Sequence, residues 1–381
     1  MKICYIGWGH SIHLQRWIQW FAQFGHDVYL ITDHPVPITG VTVHDISWKT
    51  DTRPRYIRYW RLGVNIRFIR ILKTILKIRR LVKQISPDIL HLHTLLYPAY
   101  LGVCTKFHPL VITPWNGDML WSRKKSLGHN LLVQYALRVA DLITHNSRQM
   151  KEKCIRRGVR EKRLEMVQCP GVDLQRFYPQ EKKEELKKRL ALGGSPVVLS
   201  MRSISAEYNI EIVVKAIPDV LKKIPGTKFV FIWYFADGRE IEKIKRLFEQ
   251  LKIEPAVRFL GRIDDKDLPE YLNIADVFIS VSSCDSAPMS LLEAMACGVA
   301  PITAELDPVN ELVKDGWNGF IVPQRDPEAT AAAMIKLLAD EKTRKIFAQR
   351  NLEWVRENAG YDKNMKRVEE LYLRLANKVE A

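Results

Sequence analysis

At 381 residues the chain is long enough for about two domains, each with its own core. Its 47% hydrophobic and 27% charged residues, without a low-complexity tract, exclude a disordered or fibrous protein, and no apolar run of about eighteen residues is free of charge. The net charge of +16 is lopsided, since residues 1–180 carry 28 Lys and Arg against 11 Asp and Glu.

Met1-Lys2 leads straight into an apolar strand at residues 3–6, so no signal peptide is expected. A Gly7-Trp8-Gly9 turn follows, then an amphipathic helix over about 13–24 that ends at Gly25, then a strand at 28–32. This strand–helix–strand opening predicts a parallel sheet. Further strands are predicted at 89–93, 111–114, 142–145 and 165–168. A charged stretch, 180–189, precedes a second series of strands at 197–201, 228–233, 257–260, 277–281, 300–303 and 319–322, and a last helix covers about 363–378. Two α/β domains are therefore expected: 1–178, a linker 179–195, a second domain 196–360 and a C-terminal helix 361–381. Cys4, Cys104, Cys154, Cys169, Cys284 and Cys297 are scattered without a CxxC pair, which reads as reduced thiols of a cytoplasmic protein.

The most informative segment is SSCDSAPMSLLEAMACG, residues 282–298. A strand runs into a small-residue loop and the loop into a helix, with Asp285 before the helix and Glu293 eight residues on. Ser286 is the expected N-cap and Pro288 the first-turn residue. The amides near Met289, Ser290 and Leu291 then point at whatever lies before the helix, an arrangement suited to phosphate. Arg202 follows the strand VVLSM at its carboxyl end, where a guanidinium can grip a diphosphate.

Other signals are weaker. The Gly7/Gly9 turn lacks the third glycine of a dinucleotide fingerprint. Asp265-Lys266-Asp267 has the form of a metal-holding DxD pair, but Asp267 reads better as the N-cap of the helix that follows. His91 and His93 share a strand face without a third ligand, so satisfied histidines are expected. The stretch from Arg53 to Lys83 has eleven Lys and Arg and no acid. From Val64 on it has helical period, with Val64, Phe68, Ile71, Leu72, Ile75, Ile78 and Val82 on one face and Arg67, Arg70, Lys73, Lys77 and Arg80 opposite. It fits either a solvated face or an anionic membrane surface, with Tyr56, Tyr59 and Trp60 upstream. No nucleic-acid module is visible, and nucleic acid is not an expected partner.

Taken together, these residues resemble family 4 of the retaining glycosyltransferases, which have the two-domain GT-B fold. The resemblance covers nearly the whole chain. It rests on the Asp285–Glu293 segment with EAMACG, on Asn310-Glu311-Leu312-Val313 and DGWNGFIV (315–322), and on Pro87-Asp88-Ile89-Leu90-His91, Pro170-Gly171-Val172-Asp173 and Val257-Arg258-Phe259-Leu260-Gly261. Gly9, His13 and Gly25-His26-Asp27-Val28 match at the N-terminus.

The resemblance implies two Rossmann-like domains facing each other across a donor-binding cleft, with the C-terminal helix crossing back to the first domain. It implies a hexosyltransferase that takes sugar from a nucleoside diphosphate and needs no metal or other cofactor. Arg202, Asp285 and Glu293 are the implied catalytic residues: Arg202 on the diphosphate, Asp285 toward the sugar and Glu293 on the ribose. Gly9, Met289, Ser290 and Leu291 complete the donor site; His13, Trp115 and Asp118 lie on the acceptor side. The acceptor is expected to be a glycan or lipid-linked precursor of the cell envelope, met at the inner membrane face through the Arg53 to Lys83 stretch.

Four departures from the family pattern matter. Asp285 stands where a Glu is usual. Glu207, Tyr208 and Asn209 stand where a lysine usually follows the arginine. Trp115 takes the place of a histidine, and Trp8 that of a glycine. They keep two alternatives open: a non-catalytic nucleotide-sugar-binding partner of another transferase, and a nucleotide-sugar epimerase of the same fold.

Overall fold

The computed structural model describes residues 1–47, 66–115, 118, 127–168 and 170–377, without side chains at 66–68 and 127–128. Tyr56, Tyr59, Trp60, Val64, Cys169 and the first part of the basic stretch therefore lie outside the described residues. The chain forms two compact units, Met1–Pro170 together with the chain from Met365 on, and Gly171–Asn364.

The first unit is built on parallel strands β1 (Lys2–Ile6), β2 (Asp27–Thr32), β3 (Val41–Asp45), β4 (Ile89–Leu92), β5 (Leu110–Ile112), β6 (Leu142–His145) and β7 (Leu164–Met166), in the order β3-β2-β1-β4-β5-β6-β7. Helices α1 (Ile12–Gln23), α2 (Ile66–Ile85), α3 (Leu127–Val139) and α4 (Arg148–Ile155) make crossovers. β1 is central: Ile3 pairs with Val28 on one side and Ile89 on the other. Ile3, Cys4, Tyr5 and Ile6 are fully buried, as expected of a strand covered on both faces. β3 went unpredicted because VTVHD sits at the sheet edge, half-buried or exposed throughout, without the apolar run that marks its neighbours.

α1 begins where the Ser11 hydroxyl accepts from the Leu14 N–H, and it buries Leu14, Trp17, Ile18, Trp20 and Phe21. α2 buries Ile78, Val82 and Ile85. Leu72, expected on the buried face, is instead 49% exposed, as is Leu76 at 48%.

The second unit repeats the design with β8 (Val197–Ser200), β9 (Lys228–Ile232), β10 (Val257–Gly261), β11 (Val277–Ser280), β12 (Ala300–Ala304) and β13 (Phe320–Val322), in the order β10-β9-β8-β11-β12-β13. Its helices are α5 (Glu184–Arg189), α6 (Ile210–Lys223), α7 (Gly238–Leu251), α8 (Leu268–Asn273), α9 (Met289–Ala296), α10 (Asp307–Asn310), α11 (Pro327–Ala339) and α12 (Glu341–Asn358). In both sheets the strand order reverses beside the first strand, the position at which open α/β sheets bind ligands beyond the strands' carboxyl ends.

The expected linker 179–195 belongs to this second unit, which starts at Gly171. The Val172 N–H donates to the Ala359 carbonyl (2.7 Å), and Phe177 is fully buried. Leu186, Leu190 and Leu192 pack into the core beside Val197 and Leu199. The lysines and glutamates of 180–189 had hidden those apolar contacts.

The last helix, α13 (Tyr361–Asn377), passes from the second unit to the first. There Tyr372 stacks on Phe21 at 5.2 Å between ring centroids, and its hydroxyl lies 2.5 Å from His91 Nδ1. Glu369 meets His26 at 2.7 Å.

Candidate functional site

In the second unit, Arg202 leaves β8 and Asp285 leaves β11, neighbouring parallel strands, so both arrive at the sheet's carboxyl edge. The Arg202 Nη2 group donates to Asp285 Oδ2 at 2.5 Å, and Nη1 donates to Ser290 Oγ at 3.3 Å. The Ser286 N–H donates to Asp285 Oδ1 at 3.1 Å, fixing the carboxylate. The ion pair is sheltered, with the Arg202 and Asp285 side chains 10% and 16% exposed. Arg202 Nε is buried without a hydrogen-bond acceptor.

Glu293 is buried one helical turn beyond Ser290, and the three-residue spacing puts both on the same face of α9. Arg202, Asp285 and Ser290 are thus joined by hydrogen bonds, and Glu293 lies one turn further along the same helix face.

The start of α9 differs from expectation. Ser286 is not the N-cap and Pro288 is not in the first turn. Pro288 occupies the cap position with φ −65° and ψ 121°, and no side chain caps the helix. Proline's preset φ suits that position as well as it suits the first turn. The Leu291 N–H, expected to face a phosphate, donates to the Pro288 carbonyl at 3.0 Å. The amides that geometry leaves without an intrahelical acceptor are those of Met289 and Ser290.

The Glu207–Asn209 turn, noticed in the sequence only for its missing lysine, is stitched to the Asp285 loop. The Asn209 amide donates to the Val281 carbonyl (2.9 Å) and to Ser283 Oγ (2.7 Å), and the Ser283 N–H donates to the Glu207 carbonyl (2.7 Å). Asp265 accepts from Arg176 at 2.9 Å. Asp267 precedes α8 without a side-chain cap bond, so its expected capping role is not realised; the adjoining turn places it in helical backbone instead of the extended conformation that favours capping.

In the first unit, Gly9 is held by its own surroundings. Its N–H donates to Thr32 Oγ1 (3.0 Å), its carbonyl accepts from the Gln15 amide (2.7 Å), and an added Cβ would lie 2.4 Å from the His34 carbonyl oxygen. The close approach that calls for glycine is thus to the end of β2.

His13 stacks on Trp115 at 5.1 Å, His93 lies 5.3 Å from Trp115, and Trp17 packs edge-on to His93 at 5.0 Å. His91 is satisfied by Tyr372 and by Thr113 Oγ1 at 2.8 Å. His13 Nδ1 and His93 Nε2 are buried without partners. Asp118 accepts from Thr94 Oγ1 and from the Leu95 and Trp115 N–H groups, each at 2.8 Å. These bonds make it the pin of the Trp115 turn.

Burial lowers the pKa of His13 from 6.5 to about 4 and that of His93 to about 3. Below 6.5 the unfolded chain binds protons that the folded chain refuses, so the stability they contribute is full above 6.5 and lost as pH falls toward 4. We expect the unfolding free energy read from urea titrations to drop over this window by about 1.4 kcal/mol per pH unit per histidine at most. His13→Asn should flatten that slope; an unchanged slope would show that His13 does not carry it.

The two sheets and their order are those of the GT-B fold. Residues 2–147 match the family model for glycosyl transferase 4-like proteins, and residues 181–354 that for glycosyl transferases group 1. Between them the two glycosyltransferase models match most of the chain.

It is 26% identical over 227 residues to the GDP-mannose-dependent alpha-(1-6)-phosphatidylinositol monomannoside mannosyltransferase of Mycolicibacterium smegmatis, covering 58% of each chain. It is 32% identical over 209 residues to the alpha-monoglucosyldiacylglycerol synthase of Streptococcus pneumoniae, covering 53% of this chain and 45% of the synthase. The match thus spans about half the length of these relatives. Among solved structures, Alr3699/HepE of Anabaena in complex with UDP-glucose superposes with a TM-score of 0.78 at 16% identity, covering 98% of this chain and all of the other.

Proposed function

We propose that the protein transfers a hexose from a nucleoside diphosphate-sugar to a hydroxyl acceptor, with retention at the anomeric carbon and without a metal. The observation that carries this reading is Arg202, bonded at once to Asp285 and Ser290 at the start of α9, with Glu293 one turn on along the same face. In this reading the guanidinium and the Met289 and Ser290 amides receive the diphosphate, and Glu293 accepts from the ribose hydroxyls.

As the anomeric C–O bond to the diphosphate breaks, positive charge builds on the sugar ring and negative charge on the leaving oxygen. Arg202 and the helix end oppose the latter. The acceptor oxygen bonds the anomeric carbon on the face the diphosphate leaves, and its proton passes to a diphosphate oxygen. Glu293, held for ribose, is not a nucleophile, which disfavours the double-displacement route of retaining glycosidases.

A nucleotide-sugar is also the donor in the mannosyltransferase's name, and UDP-glucose is bound in the Anabaena protein. Thermal stabilisation by UDP-, GDP- or ADP-sugars, followed by transfer assays, tests the reading: no stabilisation by any of them would refute it.

For the acceptor we propose a lipid-linked saccharide or lipid met at an anionic membrane surface on the cytoplasmic side. Leu72 and Leu76 on α2 and Leu131 and Tyr135 on α3 are 48–57% exposed, and both helices pack on the turn at Ala99–Thr105. Arg70, Lys73, Arg79, Arg80 and Lys83 are exposed on α2. Exposed leucines among basic residues suit insertion at the headgroup boundary. Both relatives named above carry a lipid in their names. No described helix is long and apolar enough to cross a membrane. Vesicles with anionic lipid should sediment the protein at low salt, and Leu72→Ser with Leu76→Ser should weaken this several-fold. Equal recovery with neutral vesicles would end the idea.

A second reading, nucleotide-sugar binding without turnover, is favoured by the carboxylate of Asp285 already occupying Arg202. Donor binding without transfer across a panel of acceptors would point there.

A further inference from the structure

The resemblance leads one to expect a lysine five or six residues after Arg202, and Tyr208 stands there instead. Its ring lies against the Arg202 guanidinium, 4.3 Å from ring centroid to the central carbon. The ring is half-buried, and its place is set by its neighbours. Asn209, at φ +50°, bonds Val281 and Ser283, and the Glu207 carbonyl receives the Ser283 N–H. Arg202 is thus gripped at its edge by Asp285 and Ser290 and on one face by Tyr208.

A guanidinium stacked on a ring keeps every N–H in its plane free to donate, and the attraction grows as the pair is desolvated. Lysine would add a second point charge but would not orient the first.

Resting on the donor reading above, we propose that Tyr208 is a positioning residue for diphosphate binding. It fixes the plane of the Arg202 guanidinium, so that this cation is held in one orientation toward the diphosphate. The anion then exchanges with the Asp285 carboxylate at the edge of a guanidinium that does not swing.

This predicts a role for the ring and not for its hydroxyl, and dependence on guanidinium in particular. Calorimetric titration of UDP, GDP and ADP into the full-length protein tests it, with Tyr208→Phe, Tyr208→Leu, Arg202→Lys and the double variant Arg202→Lys/Tyr208→Leu, each checked for folding by its thermal midpoint. Tyr208→Phe should bind within about twofold of wild type, and Tyr208→Leu at least about tenfold more weakly. The double variant should bind no more weakly than Arg202→Lys alone, since the stack is already lost. Tyr208→Met takes the place of the leucine variant if that one unfolds.

Wild-type affinity in the leucine variant, equal loss in the phenylalanine variant, or losses that simply multiply would each overturn the role of Tyr208. Wild-type protein that binds none of UDP, GDP and ADP would overturn the donor reading and this proposal together. Wild-type binding with an unimpaired leucine variant would overturn the tyrosine's role alone.

Discussion

Arg202→Ala should lower sugar transfer at least about tenfold, or 1.4 kcal/mol of transition-state stabilisation, and up to about a thousandfold. The range follows from its surroundings. A side chain only 10% exposed acts where water screens little, and in the proposed reading its charge faces the oxygen on which negative charge grows. The same substitution strands Asp285, 16% exposed, without its counter-ion, costing up to about 3 kcal/mol of stability. The two effects separate in the double variant Arg202→Ala/Asp285→Asn, in which no carboxylate is left uncompensated. Its thermal midpoint should return most of the way to that of wild type while turnover stays low. Measured kcat/KM for both variants checks this. Full turnover in Arg202→Ala would remove the residue from the site, and recovery of turnover in the double variant would reduce its role to neutralising Asp285.

That Arg202 meets Asp285 and Ser290 was legible because each occupies a position that strand-then-helix order dictates. In a parallel sheet, residues just past the ends of neighbouring strands must meet, and β8 pairs with β11. Strands buried on both faces were legible too, since a run such as VFIS between breakers has few other uses.

What escaped depended on contacts between loops. The stacking of Tyr208 on Arg202 follows from a left-handed Asn209 and a carbonyl at the end of β11, neither visible in a string of letters. The leucines of 186–192 were masked by flanking charge. The cap of α9 moved two residues, from Ser286 to Pro288, because proline's fixed φ serves the cap and the first turn equally and only ψ distinguishes them. That shift removed Leu291 from the amides open to a phosphate and left those of Met289 and Ser290.

Glu293→Ala should abolish binding of UDP and GDP or nearly so, while leaving inorganic pyrophosphate bound as in wild type. Glu293 is 5% exposed on α9, a helix otherwise packed on Leu291, Leu292, Ala294, Met295 and Ala296. A ribose offers two adjacent hydroxyl donors to the two carboxylate oxygens, and charge-assisted bonds of this kind are among the strongest in a sheltered site. Removing the acceptor leaves both hydroxyls desolvated and unpaired, a loss of about 3 kcal/mol or more, which is over a hundredfold in affinity. Pyrophosphate carries no ribose and, in the proposed reading, meets only Arg202 and the Met289 and Ser290 amides, so its affinity reports the anion half of the site by itself. Collapse of α9 would remove both ligands together. Loss of nucleotide with pyrophosphate retained would assign Glu293 to the ribose, and nucleotide binding at wild-type strength would refute that assignment.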